Sequence, residues 1–407
     1  MRKILPLALL AGLGALAGCR QLEPGDPARR IVVWEQEDAA VAPYIDSVLE
    51  AFRKLPGNED LKIVRSHYDN EDIRQQFQTS SIAGSPPDLL MSPSDPAGIY
   101  SVSGFIMPVD GLLDLRRYNK AAVEAISLDG KTWGVPISNG NHLMMFYNKS
   151  LAPQPPKTTA ELFAYCDRQT KALKLDHCMA VFLGEPFWLV PWLGAYGGRV
   201  IDGRTPTLDT PAMRKAIDFT LELKRRGYIP SECDYNCMDA LFKEKKVAFI
   251  INGDWAISTY EGQLKGDLGV AMIPKLSETG QWPAPMVSGK YFMLSSKLSG
   301  PKLALIKRLI DFYTDRDNQV GQVAALKRLP ALTAASQDKI ITGSPNLKAS
   351  MDEILVCRPM PMATELRAVW DAIRPLYGKV LSGQLTTDQA AKRMQADAET
   401  KIREMNE

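Results

Sequence analysis

The residues best suited to chemistry are three acids and a set of rings spread along a chain of 407 residues. Asp38 ends Glu35-Gln36-Glu37-Asp38, directly after an apolar run, and Asp95 lies within Ser92-Pro93-Ser94-Asp95-Pro96, after another. Glu185-Pro186-Phe187-Trp188 joins a third acid to two rings, and Asn252-Gly253-Asp254-Trp255 places an indole just past a buried-strand pattern. A carboxylate accepts charge-assisted hydrogen bonds from hydroxyls, and flat rings cover the apolar C–H face of a pyranose. Together they suit non-covalent capture of a polyhydroxylated solute. Each has a plainer reading: Asp38 as an N-cap or surface acid, Asp95 as a turn residue, Phe187 and Trp188 as core. Trp255 favours a cleft, because deeper burial would hide its N–H without an obvious partner.

A second group lies near the C-terminus. Trp370 sits one residue off an apolar stripe of Leu366, Val369, Ile373, Leu376 and Val380. Arg374, four residues on, shares the face of Trp370 and is placed to donate to hydroxyls, although Pro375 beside it predicts a kink. Signatures of covalent or phosphate chemistry are missing: there is no G-x-S-x-G, P-loop or H-E-x-x-H, and the histidines are His67, His142 and His177. Asp38 and Glu185 are the pair that a glycosidase reading would need.

The elements that must position these residues follow an export segment. Arg2 and Lys3 precede the apolar stretch Ile4 to Ala17, which is too short and Gly/Ala-rich for a membrane span and reads as a secretory signal. Leu16-Ala17-Gly18-Cys19 resembles a bacterial lipobox, in which Cys19 takes the lipid and becomes the mature N-terminus. Residues 20–29 read as a tether. Without Arg2 and Lys3 the formal charge of +2 falls to about zero. Its charges are interspersed, which excludes a polybasic nucleic-acid or lipid footprint.

Of six cysteines, Cys19 leaves five. In an oxidising compartment Cys166–Cys178 and Cys233–Cys237 are local bridge candidates with Cys357 left over, and buried free thiols are the alternative. A lone C-x3-C without a second ligand pair gives no metal site, and no cofactor is expected. The roughly 390 residues after the signal exceed one core's usual span, so two lobes are expected. Strand runs at Ile31–Trp34, Leu61–Val64 and 88–91 alternate with helical patterns through Val48, Leu49 and Phe52 and through Ile73 and Phe77. Such alternation predicts parallel sheets flanked by helices. Further strand runs cover Val247–Ile251 and Leu268–Ile273, and Thr210-Pro211, Gly300-Pro301 and Thr386 with Gln389 mark helix starts.

The order of local motifs from about residue 31 onward resembles the extracellular solute-binding proteins that include maltose-binding protein. The pieces are Ile31-Val32-Val33-Trp34, Gly84-Ser85-Pro86-Pro87-Asp88-Leu89-Leu90, Gly130-Lys131-Thr132-Trp133-Gly134-Val135-Pro136 and Phe146-Tyr147-Asn148-Lys149. Pro155-Pro156-Lys157-Thr158, Gly194-Ala195-Tyr196-Gly197-Gly198, Ala248 to Trp255 and the helix around Trp370 complete the series. The resemblance implies an α/β fold of two lobes, each a mainly parallel sheet flanked by helices, with crossing hinge strands and the ligand between them. Lobe one would hold residues 30–138 plus 289–334, and lobe two 139–288 plus 335–407.

It also implies a carbohydrate receptor of an ABC transporter, lipid-anchored on the periplasmic side of the envelope. Such a receptor is monomeric, closes by hinge motion and hands its solute to membrane permease subunits. Asp38 and Asp95 fall where the family places ligand-facing acids, and Glu185, Phe187 or Trp188, Trp255, Trp370 and Arg374 match its later contacts. The chain departs from maltose-binding protein at Ser92 and Pro96, where an aromatic and a basic residue stand in that protein. The stretch from Ile137 to His142 is one residue longer and lacks a glutamate, leaving Asn141 or His142 as contacts. Fewer stacking platforms point to a mono- or disaccharide. The rival readings are an anionic solute such as glycerol 3-phosphate, which needs converging cations or N–H groups, and a glycosidase-like enzyme.

Overall fold

The computed structural model describes residues 27–406; the signal segment, Cys19 and the tether as far as residue 26 lie outside the described residues. Two sheets organise the chain. The first has the order β2-β1-β3-β9-β4, with β1 Arg30–Glu35, β2 Lys62–His67, β3 Leu89–Ser92, β4 Val135–Ser138 and β9 Lys290–Leu294. The second has the order β8-β5-β7-β6, with β5 Leu143–Asn148, β6 Met179–Ala180, β7 Phe249–Gly253 and β8 Leu268–Ala271. β1 turns Ile31 and Val33 inward, the alternation expected of a strand near a sheet edge, whereas β3, β5 and β7 are buried along their whole length.

The sheets are mixed where mainly parallel ones were expected. β1 runs parallel to β2 and β3, and β7 parallel to β6, but β9 is antiparallel to β3 and β4, and β5 is antiparallel to β7 and β8. The antiparallel pairs involve β9 and β5, the strands that enter each sheet from the other one, against the direction of the βαβ units.

Apolar clusters lie on both sides of the first sheet, one joining Ile31, Phe52, Phe292 and Ile310, the other Phe77, Leu90, Tyr100 and Met293. Met362, from the C-terminal stretch, packs into the latter. A separate cluster surrounds the second sheet and takes in Phe146, Phe249, Trp370 and Ile373. Helix starts have the chemistry their sequences announce. Thr210 accepts the Met213 N–H at 3.1 Å, and Thr386 and Gln389 exchange bonds of 3.1 and 3.2 Å in a capping box. The helix Leu366–Leu381 continues through Pro375. Disulfides join Cys166 to Cys178 and Cys233 to Cys237, and Cys357 is free.

Chain crossings between the sheets are bonded to one another. Ser288 N–H donates to the Gly140 carbonyl at 2.9 Å, and Asn139 N–H donates to the Leu329 carbonyl at 3.0 Å. Gly289 has φ +137°, and a Cβ there would collide with the Ser138 carbonyl oxygen, so glycine is required. Gly289→Ala is expected to lower unfolding free energy by about 2 kcal/mol or more through strain in a left-handed, crowded backbone. Urea denaturation checks this, and a loss below about 0.5 kcal/mol would show that the crossing yields freely.

Candidate functional site

A cavity of about 640 Å³ opens between the two sheets. The carboxyl ends of strands supply much of its wall, as expected for ligand sites in α/β folds. Past β1 come Gln36, Glu37 and Asp38; past β3 come Pro93 and Asp95; past β7 comes Trp255. Asn141 lines the cavity from a chain crossing, at φ +54°, a left-handed conformation that asparagine tolerates. Glu185, Phe187 and Trp188 enter from the short 3-10 turn Pro186–Trp188, and Trp370 and Arg374 from the helix Leu366–Leu381. All nine residues singled out in the sequence therefore face one space. His142 does not: it is fully buried, its Nδ1 3.9 Å from Asp254 Oδ2 and its Nε2 3.3 Å from Ser350 Oγ. Burial lowers its pKa and favours the neutral ring.

The rings support one another. Trp255 donates its indole N–H to Tyr235 Oη at 2.9 Å, and Trp188 donates to the Ile251 carbonyl at 2.8 Å. Trp188 meets Trp255 and Tyr235 edge-on, with centroids 6.4 and 6.3 Å apart. At 7 % exposure Trp188 is chiefly backing for its neighbours. Tyr235 opens the helix Tyr235–Lys243, behind the Asp234 N-cap and inside the Cys233–Cys237 bridge, which fixes the ring's position.

The charges are arranged in pairs. Arg74 reaches Asp95 at 2.5 Å, and Arg374 chelates Glu185 through contacts of 3.1 to 3.3 Å. Glu37, 3 % exposed, meets Arg328 at 2.6 Å and Lys290 at 3.2 Å. Burial alone would raise the Glu37 pKa, but the two cations outweigh it and hold the carboxyl at about 2. Asp38 differs. No described residue is bonded to its carboxyl, and the cleft walls, followed by the neighbouring Glu37 charge, raise its pKa. Its acceptor capacity is not spent on a partner among the described residues.

Sequence reasoning missed Arg74, Lys290, Arg328, Tyr235 and Phe182, which also line the cavity. Arg74 lies on the helix Asn70–Ile82 at the spacing of an ordinary solvated face, and Lys290 begins a strand. Tyr235 carried a readable sign, a cysteine pair bracketing an N-capped aromatic.

Two α/β units joined by hydrogen-bonded crossings, with a polar, ring-walled cavity between them, make a two-lobed solute receptor. Family comparison agrees: residues 47–349 match the model for bacterial extracellular solute-binding protein. The chain belongs to that family, whose members are receptors and not enzymes. The maltotriose-binding protein of Pyrococcus abyssi (strain GE5 / Orsay) is 23 % identical over 363 residues, covering 86 % of this chain and 77 % of its own. A maltooligosaccharide ABC transporter solute-binding lipoprotein of Streptococcus pneumoniae (strain ATCC BAA-255 / R6) is 25 % identical over 383 residues, covering 90 % and 87 %. Among solved structures, the maltose/maltodextrin-binding domain MalE from Bdellovibrio bacteriovorus bound to maltotriose is 35 % identical, with a TM-score of 0.84, over 92 % of this chain and 100 % of that one.

Proposed function

We propose that this protein is the substrate-binding lipoprotein of an ABC transporter, capturing a short neutral carbohydrate by hinge closure and delivering it to membrane permease subunits. One observation carries the reading: every cation lining the cavity is committed to a carboxylate, beside six aromatic rings. An uncharged, hydroxyl-rich ligand bonds to such paired charges without breaking them, and its C–H faces cover the rings. An anion such as glycerol 3-phosphate would have to compete with a carboxylate at each cation.

The nine lining residues named above are the contacts we assign, Asp38 as hydroxyl acceptor and Trp255 and Trp370 as platforms. Lobe one comprises residues 30–138 plus 289–334 and lobe two 139–288 plus 335–407, and the receptor works as a monomer. Anchoring through Cys19 on the periplasmic face fits the lipoprotein named among the relatives. A mono- or disaccharide was expected from the few platforms read in the sequence. Phe182 and Tyr235 add two rings to the wall, and we extend the size to three units, in line with the oligosaccharides that the relatives are named for.

A thermal-shift screen of the chain from Arg29 onward tests the reading with about fifty sugars and sugar phosphates. A ligand at a hundredfold excess over its Kd adds about 2.7 kcal/mol, a rise of several degrees. A shift confined to phosphorylated compounds would transfer the site to anions.

A further inference from the structure

We infer that the unit built on the second sheet carries its own binding site, apart from the cleft, for a small organic carboxylate with an apolar body. A cavity of about 300 Å³ lies there, and none of its lining residues lines the cleft. Its walls come from the helix Val190–Ala195, the hairpin strand Ile201–Asp202, and the paired strands Met286–Val287 and Arg358–Pro359.

Charge on these walls is unbalanced, in contrast to the cleft. Arg358 is half-buried, and its guanidinium makes a single hydrogen bond among the described residues, Nη1 donating to the Gly198 carbonyl at 2.6 Å. No described carboxylate is paired with it. The charge that acts on it is another cation: burial first, and then Arg199, lower the Arg358 pKa. An arginine stays protonated all the same, so its partly desolvated charge persists. Arg199 meets Asp202 at 2.7 Å, but that pair is exposed and holds weakly. Arg358 and Arg199 against Asp202 leave the cavity one positive charge in excess, which a monoanion balances.

The rest of the lining selects the kind of anion. The bond to Gly198 occupies Nη1 and leaves Nε and Nη2 as a two-donor edge, which a carboxylate meets bidentately. Beside it Val190, Val200, Ile201, Met286 and Pro361 give the cavity an apolar side. Val200, Ile201 and Met286 are buried members of the core around the second sheet, so packing sets this wall before any ligand arrives. An inorganic anion would answer the charge and cover none of the apolar side. A sugar would leave the charge unanswered. An acid with a branched or aromatic body satisfies both.

Ligand-observed NMR titration of the intact protein with benzoate, acetate and benzamide tests this. Benzoate should bind with a Kd on the order of 1 mM, a usual strength for so small a ligand. Acetate lacks the body and benzamide lacks the charge, so each should bind roughly tenfold more weakly. Arg358→Gln should weaken benzoate by roughly tenfold. If that variant fails to fold, the exposed pair gives the same information with opposite signs. Arg199→Gln should weaken benzoate about threefold, and Asp202→Asn, which frees Arg199, should strengthen it about threefold. Equal affinity for benzoate and either control would overturn the inference. So would benzoate binding that none of the three substitutions moves, or no binding at about 10 mM.

Discussion

Trp255→Ala should weaken ligand binding by roughly 30- to 150-fold, a loss of about 2–3 kcal/mol. The ring is half-buried at the end of β7, with its N–H held by Tyr235 and its edge against Trp188. It is therefore preorganised, and a sugar meets a face that loses little freedom on binding. Gly253 is part of the same arrangement, since a Cβ there would run into the Trp255 six-membered ring. Trp255→Phe keeps a flat face and loses the bond to Tyr235, so its cost should be intermediate. Titration calorimetry on folded variants gives the order wild type, Phe, Ala. Equal affinity in wild type and Ala would remove Trp255 from the site and shift the platform role to Trp370 and Phe187.

The second large effect concerns stability. Glu37→Gln preserves shape but leaves Arg328, 7 % exposed, and Lys290 without their common carboxylate. Breaking a buried charge cluster in this way costs about 3–5 kcal/mol, because the surviving charges keep their desolvation penalty. The effect carries a pH signature. The folded pKa of Glu37, about 2, lies below its ordinary value of 4.5, so the stabilisation is whole above pH 4.5 and is lost as pH falls toward 2. That difference corresponds to roughly 3 kcal/mol. Wild type should lose stability over this window more steeply than Glu37→Gln, which has no proton to take up there. Parallel denaturation curves at pH 6 and pH 3 decide it, and identical pH slopes would show that the triad contributes nothing net.

The parts of this molecule legible from sequence were those in which local pattern and position agree. Ile31 to Trp34, Leu89 to Met91 and the Thr210 cap announce themselves within a few residues, and acids or rings just past such strands, Asp38, Asp95 and Trp255, reach the cavity. What was not legible depends on partners far along the chain. Glu37 was an unremarked neighbour of Asp38 until the fold set it against Lys290 and Arg328, some 250 and 290 positions away. Likewise, Arg374 was read as a donor to ligand hydroxyls, and its pairing with Glu185 across a separation of 189 had no local sign in the sequence. Strand direction was misjudged for a related reason, because helix–strand alternation describes the βαβ units and is silent about a strand arriving from the other sheet.

That arriving strand, β9, has a consequence for how the chain comes into being. It lies between β3 and β4, pairing Tyr291 with Ser92 and Phe292 with Met91, some 200 positions apart. The first sheet cannot close until residue 294 is available, so most of the polypeptide must emerge before the N-terminal half has a finished hydrophobic layer. Contacts of such long sequence separation carry a loop-closure cost, so completion of this sheet is expected to be slow and late. The interleaved topology thus ties completion of the N-terminal half to residues 290–294 and, once β9 is seated, joins the two halves.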